Sequence, residues 1–335
     1  MRAGSHPLKK KGKLEPPEEI TIQMVTFIPF LEGYFEQSLD VLKLSLESLW
    51  AHTTLPYDLM IFDNGSCPEV RTYLLEQQQA HKIQFLYLSD ENVGLPGAWN
   101  ALFAAAPGKI IAYSDSDIYF YPGWLEACLK LLQTYPNVGM VTGIPLRSPL
   151  EFSNQTLEWA SQTPEVQVSR GLLQDWEVYW AHARSTGFEE GEARHKFAQG
   201  EDILFEYQGV KAFLGAGHFQ FVSPKAALQA VMPFPYVMPM GNERYLDQHI
   251  NQRGYLRLSL PGMSVRHIGN RLPEDGSLKV ETAGIQGQSA ADQRRGPAAR
   301  RSPQGLYRLL DFPLIRKILL FLYGKIFNWY YVRPK

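Results

Sequence analysis

The stretch Tyr113-Ser114-Asp115-Ser116-Asp117 closes a short apolar run with two carboxylates one residue apart. Side chains on extended backbone alternate, so Asp115 and Asp117 are expected on one face, about 6.5–7 Å apart at the root. Two hard oxygen ligands aimed into one space suit Mg²⁺ or Mn²⁺, with substrate phosphates completing the shell. Asp63, in Asp63-Asn64-Gly65-Ser66, stands at the tip of another apolar run. There it can accept hydrogen bonds from a base edge or a ribose, or serve only as a turn residue. Asn92-Val93-Gly94-Leu95-Pro96-Gly97 lets backbone come close to a ligand where a helix opens at Pro96. Glu243 and Asp247 lie four residues apart where a helix can start, and an acidic first turn is common there. Each motif alone is ordinary, and their order along one sheet is what gives them meaning.

The elements that must position these residues follow from hydrophobic period. Residues 20–27 read as a first strand, stopped by Pro29, and residues 35–52 as a helix with Leu39, Leu42, Leu46 and Leu49 on one face. Strands are expected at 59–62, 83–88, 109–113 and 138–142, with helices from about Pro68, over 96–106 and over 122–134. Strands alternating with helices give an α/β fold, a mostly parallel central sheet covered on both faces. Ligands in such sheets bind beyond the carboxyl ends of the strands, which brings Asp63 and Asp115 to one rim. Residues 144–212, rich in Trp, Tyr, Gln and Glu, read as an insertion or lid with helical parts. A strand is expected over 213–222, with Gly215 and Gly217 marking close backbone approach. A helix over 245–252 and short strands at 256–260 and 263–268 complete the pattern.

The chain has 335 residues, 45% hydrophobic and 20% charged, enough for one large α/β domain. Its net charge of −1 argues against nucleic acid as a partner. Cys67 and Cys128 form no metal spacing or disulfide framework, which favours a cytoplasmic setting. Residues 1–19 read as a disordered basic tail without the core of a signal peptide, and 272–305 as a flexible linker. No run of eighteen uncharged apolar residues exists to span a membrane. Residues 306–335 read as a basic amphipathic helix. Its segment 313–335 suits the inner face of a membrane, or docking on the catalytic domain or a second subunit.

The order Asp63-Asn64-Gly65-Ser66, Asn92-x-Gly94 with Ala98 and Asn100, then Asp115-x-Asp117 resembles the family-2 glycosyltransferases of the GT-A fold. The likeness covers roughly 20–271 and includes Leu44-Ser45-Leu46-Glu47-Ser48-Leu49 in the first helix. It implies a Rossmann-like nucleotide-binding half and transfer of a sugar from a nucleotide-diphospho-sugar to an acceptor hydroxyl, inverting by single displacement. Asp63, Asn92, Gly94, Asn100, Asp115 and Ser116 would contact the nucleotide-sugar, and Asp115, Asp117 and His267 would hold Mn²⁺ or Mg²⁺. Gly215, Gly217 and His218 would line the sugar and acceptor pocket. Counting back from Gly254, the family's catalytic Asp falls on Glu243, with Asn242 in place of the pair's Glu and Asp247 as the rival base. The acceptor would be a carbohydrate or a lipid-linked one, in cell-surface polysaccharide, glycan or glycolipid synthesis. A nucleotidyltransferase is disfavoured because residues 27–32 lack a Gly-rich loop and a basic residue. A dehydrogenase lacks its Gly-x-Gly-x-x-Gly after the first strand. A catalytically degenerate carbohydrate-binding or tethering domain is the non-enzymatic alternative.

Overall fold

The computed structural model describes residues 16–236, 243–273 and 278; the expectations for the N-terminal tail up to residue 15, for most of the linker and for the C-terminal helix lie outside them. Ten strands form one sheet in the order β3-β2-β1-β4-β10-β6-β11-β9-β8-β7. They are β1 (Ile20–Thr26), β2 (Asp58–Asn64), β3 (Phe85–Ser89), β4 (Ile110–Asp115), β6 (Val138–Thr142), β7 (Gln167–Gly171), β8 (Asp202–Tyr207), β9 (Val210–Leu214), β10 (Gln220–Pro224) and β11 (Leu256–Ser259). A separate two-stranded ladder joins β5 (Ile118–Phe120) to β12 (Val265–His267). The helices are α1 (Ser38–His52), α2 (Pro68–Gln79), α3 (Gly94–Ala105), α4 (Trp124–Thr134), α5 (Asn154–Gln162), α6 (Trp176–Ser185), α7 (Glu190–Gln199), α8 (Lys225–Gln229) and α9 (Glu243–Gln252).

β1, β2, β3 and β4 pair in parallel, as do β6 and β11, while β10, β9 and β7 run the other way. Seven of the ten strands therefore share a direction, and the expected α/β fold with a mostly parallel sheet is present. Central strands read as unbroken apolar runs because both faces are covered. In β2 the period of two is visible in the packing. Leu59 and Ile61 join the cluster of α1, α2 and α4, with Leu42, Leu46, Leu49, Leu74 and Leu125. Met60 and Phe62 face the opposite cluster, with Trp99, Phe103, Tyr113, Phe221 and Leu246. Its rings meet edge-on at 5.4 Å for Trp99 and Tyr113, and stacked at 5.2 Å for Tyr113 and Phe221. Such pairs add about 0.5–1.5 kcal/mol each beyond area burial.

Two expectations for the elements change. Residues 213–222 are not one strand: β9 ends at Leu214, and residues 215–219 pass β11 and β6 before β10 begins. Gly215 is the reason, since its φ of +101° is closed to most side chains. The insertion also carries strand as well as helix. β7 and β8 extend the sheet edge, tied down by Arg147, whose Nε donates to Asp202 Oδ1 at 2.6 Å. Burial pushes the Asp202 carboxyl up, but Arg147 and the amides of Gln174 and Leu173 outweigh it and hold the group below its ordinary range.

Candidate active site

Asp115 is the last residue of β4, and Ser116 and Asp117 form the turn into β5. The alternation assumed for extended backbone therefore stops at Asp115. That residue shares a face with Tyr113, whose hydroxyl donates to Asp115 Oδ1 at 2.7 Å. Burial, then the Asp115 charge, hold the Tyr113 phenol far above its usual range, so it remains a donor. The Asp115 amide donates to the Phe219 carbonyl at 2.8 Å. Asp117 lies in the turn that follows: its Oδ2 is 3.3 Å from His267 Nε2, and its carbonyl accepts the Ile268 amide at 2.8 Å. The β5–β12 ladder, with Ile118 opposite His267, brings that imidazole to the turn.

Around His267 gather residues that sequence reasoning missed. Ser185 Oγ lies 2.9 Å from His267 Nδ1, and the His182 ring stands edge-on to His267 at 6.0 Å. His182 also stacks on Phe219 at 5.1 Å, and its buried Nδ1 has no hydrogen-bond partner among the described residues. Burial first, then the neighbouring His267 and His218, push the His182 imidazole down to about 4, so it is neutral. Beside this group opens a cavity of about 400 Å³ lined by Arg184, Ser185, Arg266, His267, Ile268 and Arg271, with Ala181 and Pro273. Three guanidiniums and no carboxylate line it, a composition suited to phosphate oxygens.

One carboxylate and one imidazole converging at a strand rim suit a borderline divalent ion such as Mn²⁺. Among the described residues no three His, Cys, Asp or Glu side chains come together as a complete ligand set. The protein thus offers Asp117 and His267, with Asp115 beside them, and a cation there would need phosphate or water oxygens to fill its shell.

The remaining expected residues fall into two groups. Asp63 is fully buried at the end of β2, where its carboxylate accepts the Ser66 amide at 3.2 Å and Arg71 Nε at 3.1 Å. Burial raises its proton affinity, partly offset by Ser66 and Arg71. Its neighbour Asn64 does the reaching: its Oδ1 accepts the Val93 amide at 2.8 Å and its Nδ2 donates to Asn92 Oδ1 at 3.0 Å. Asn92 Oδ1 also accepts the Gly94 amide at 2.8 Å, so the loop before α3 is clamped to the tip of β2. Asn100 is engaged at both ends of its amide by the Phe234 backbone, at 2.9 and 2.8 Å.

Across the rim, Gly217 exchanges two hydrogen bonds with Thr142 Oγ1, at 2.7 and 3.0 Å. A β-carbon on Gly217 would stand 2.5 Å from Leu146 Cδ1, and one on Gly215 2.7 Å from Ser148 Cβ. Both glycines therefore serve close packing. His218 Nδ1 lies 3.5 Å from Asp247 Oδ2, and Asp247 Oδ1 accepts Arg257 Nη2 at 2.5 Å. Arg257 is fully buried and also donates to the carbonyls of Phe152 at 2.7 Å and Ala216 at 2.5 Å. Burial lowers its proton affinity and Asp247 opposes that. Glu243 is the first residue of α9, and its side chain lies outside the described residues.

The fold and this rim define an α/β chain with a carboxylate-imidazole pair beside a cationic cavity. Over residues 32–189 the chain matches the family model described as glycosyl transferase family 2. An uncharacterized glycosyltransferase of Nostoc sp. is 29% identical over 122 residues, 36% of each chain. Among solved structures, a mannosyltransferase from Pyrobaculum calidifontis in complex with GDP-Man and Mn²⁺ aligns with a TM-score of 0.45 and 15% identity. S. aureus TarS 1-349 in complex with UDP-GlcNAc aligns at 0.46 and 12%. Each alignment covers 80% of this chain and 62% of the other. The chain thus spans about a third of its curated relative and under two thirds of these solved chains.

Proposed function

We propose that this protein is a glycosyltransferase that moves a sugar from a nucleotide-diphospho-sugar to an acceptor hydroxyl with a divalent metal, inverting the anomeric centre by single displacement. The observation that carries this reading is the Asp117–His267 pair, 3.3 Å apart, beside a cavity lined by Arg184, Arg266 and Arg271. Such a juxtaposition provides for a cation and a diphosphate side by side. A bound Mn²⁺ or Mg²⁺ would neutralise charge developing on the departing nucleoside diphosphate. The chain's own residues orient and hold. Tyr113 fixes one oxygen of Asp115, Ser185 fixes the His267 ring, and the Asn64–Asn92 clamp sets the loop that opens α3.

The acceptor is a carbohydrate or a lipid-linked carbohydrate, and the setting is cell-surface polysaccharide, glycan or glycolipid synthesis at the cytoplasmic side. No helix of the described residues is long and apolar enough to cross a membrane. Membrane contact in this reading falls to the basic segment 313–335. The test is a thermal-shift and donor-hydrolysis screen of UDP-glucose, UDP-GlcNAc and GDP-mannose with and without Mn²⁺. Asp117→Ala is expected to lose metal-dependent stabilisation by the donor and at least 100-fold in nucleoside diphosphate release, with its unfolding transition retained. Metal-dependent release at the wild-type rate in that variant would refute the assignment.

A further inference from the structure

β3 is the outer strand at one end of the large sheet. β2 pairs with it in parallel, and among the described residues no strand pairs with its other side. Such an edge carries unpaired N–H and C=O groups, and exposed edges are ordinarily blunted by lysine, proline or a bulge. Phe85-Leu86-Tyr87-Leu88-Ser89 has none of these, and its register with β2 runs unbroken from Met60 opposite Phe85 to Asn64 opposite Ser89. It presents Phe85, Tyr87 and Leu88 to solvent instead, 37%, 39% and 43% exposed. Scattered apolar residues on a surface are ordinary, but a cluster of them along an open strand edge marks a contact site.

The charges flanking the strand say what fits there. Lys82 precedes it and Asp90 follows it, both exposed, each four positions from Leu86. The Lys82 ammonium stands 4.4 Å over the Trp50 ring, and Asp90 Oδ1 lies 3.3 Å from Arg71 Nη1 with its side chain 97% exposed. A second copy laid antiparallel on β3, with the two-fold axis at Leu86, sets Lys82 opposite Asp90 of the partner subunit. It also sets Phe85 opposite Tyr87 of the partner subunit, and symmetry makes each of these pairs twice. Aromatic pairs and opposite charges across strands are both favourable. A slip of two residues moves Lys82 onto Asn92 or Leu88 of the partner subunit and loses the ion pairs. Parallel pairing in register would set like charges against each other. The edge is therefore self-complementary in one orientation and one register.

We propose that two copies of this chain associate through β3, antiparallel about Leu86, into one sheet continuous across both. The contact supplies partners for the open backbone groups and covers Phe85, Tyr87 and Leu88. Being isologous, it closes at two copies and leads to a dimer, not a fibre. Tyr87 is held ready for it, because its ring stacks on Phe62 at 6.4 Å and so presents its outer side at a fixed angle. The proposal does not depend on the transferase reading.

The test is sedimentation velocity on the full chain from about 1 to 100 µM, with amide hydrogen exchange measured at both ends of that range. A monomer–dimer equilibrium is expected, with exchange over residues 84–90 slowing as the dimer fills. Tyr87→Lys is expected to raise the dimer Kd by about tenfold or more. Lys82→Glu and Asp90→Lys, each alone, are expected to do the same, because each sets like charges opposite one another twice. The double variant Lys82→Glu, Asp90→Lys re-forms both ion pairs with their signs exchanged, and its Kd is expected to return to within about threefold of wild type. Contacts within one chain would give no such recovery, since the swap puts a lysine beside Arg71 and a glutamate over Trp50. A chain that stays monomeric at the highest concentration overturns the proposal and leaves the edge to a partner of another kind. So does association that leaves exchange in β3 unchanged, or a double variant that associates no more tightly than the single ones.

Discussion

Replacing Arg257 with methionine tests the buried centre of the rim. The guanidinium is fully buried and donates to Asp247 at 2.5 Å, Phe152 at 2.7 Å and Ala216 at 2.5 Å. Methionine fills much of the same volume, so the packing loss is small and the change is chiefly polar. The substitution leaves the Asp247 carboxylate, 6% exposed, without its cation. Breaking a buried pair from one side costs about 3–5 kcal/mol. The two carbonyls left without a donor add to this at about 1 kcal/mol each, less where water reaches them. A loss of about 5–7 kcal/mol is therefore expected in Arg257→Met, read as a fall in the urea midpoint at unchanged slope. The double variant Arg257→Met, Asp247→Leu removes both charges, and is expected to recover at least half of the loss because no ion remains stranded. A single-variant loss below 1 kcal/mol would refute the reasoning. So would a double variant no more stable than the single, since the cost would then lie in packing rather than in charge.

Two further predictions concern residues near the site. Asn100→Ala removes both hydrogen bonds to the Phe234 backbone and is expected to cost about 2 kcal/mol in urea unfolding, with the donor KM changed less than threefold. A KM rise of tenfold at unchanged stability would instead place the amide on the ligand. His182, held down to about 4 against an unfolded value of 6.5, binds fewer protons folded than unfolded between those limits. Its contribution is whole above pH 6.5 and is lost as pH falls towards 4, about 3 kcal/mol in all. Urea titrations at pH 7.0, 5.5 and 4.5 are expected to show a steeper acid loss in the wild type than in His182→Asn; equal slopes would count against a buried neutral imidazole.

The limits of reading such a site from sequence are physical ones. The strands carrying Asp63 and Asp115 were legible because both ends of an apolar run and its turn are local signals, and the parallel topology then places them on one rim. The partner of Asp117 was not legible locally: β4 ends at Asp115, and the turn brings Asp117 beside His267, 150 positions on. The partner of Asn100 is just as distant in the chain, since Phe234 lies 134 residues away. His182 had no signal, because an imidazole in an amphipathic helix gains meaning only from the rings packed on it. Arg257 did have one. In Leu256-Arg257-Leu258-Ser259-Leu260 it is a cation inside an apolar strand, and such a charge must find an anion when the strand is buried on both faces. Searching the neighbouring α9 for that anion leads to Asp247, and from Asp247 to His218.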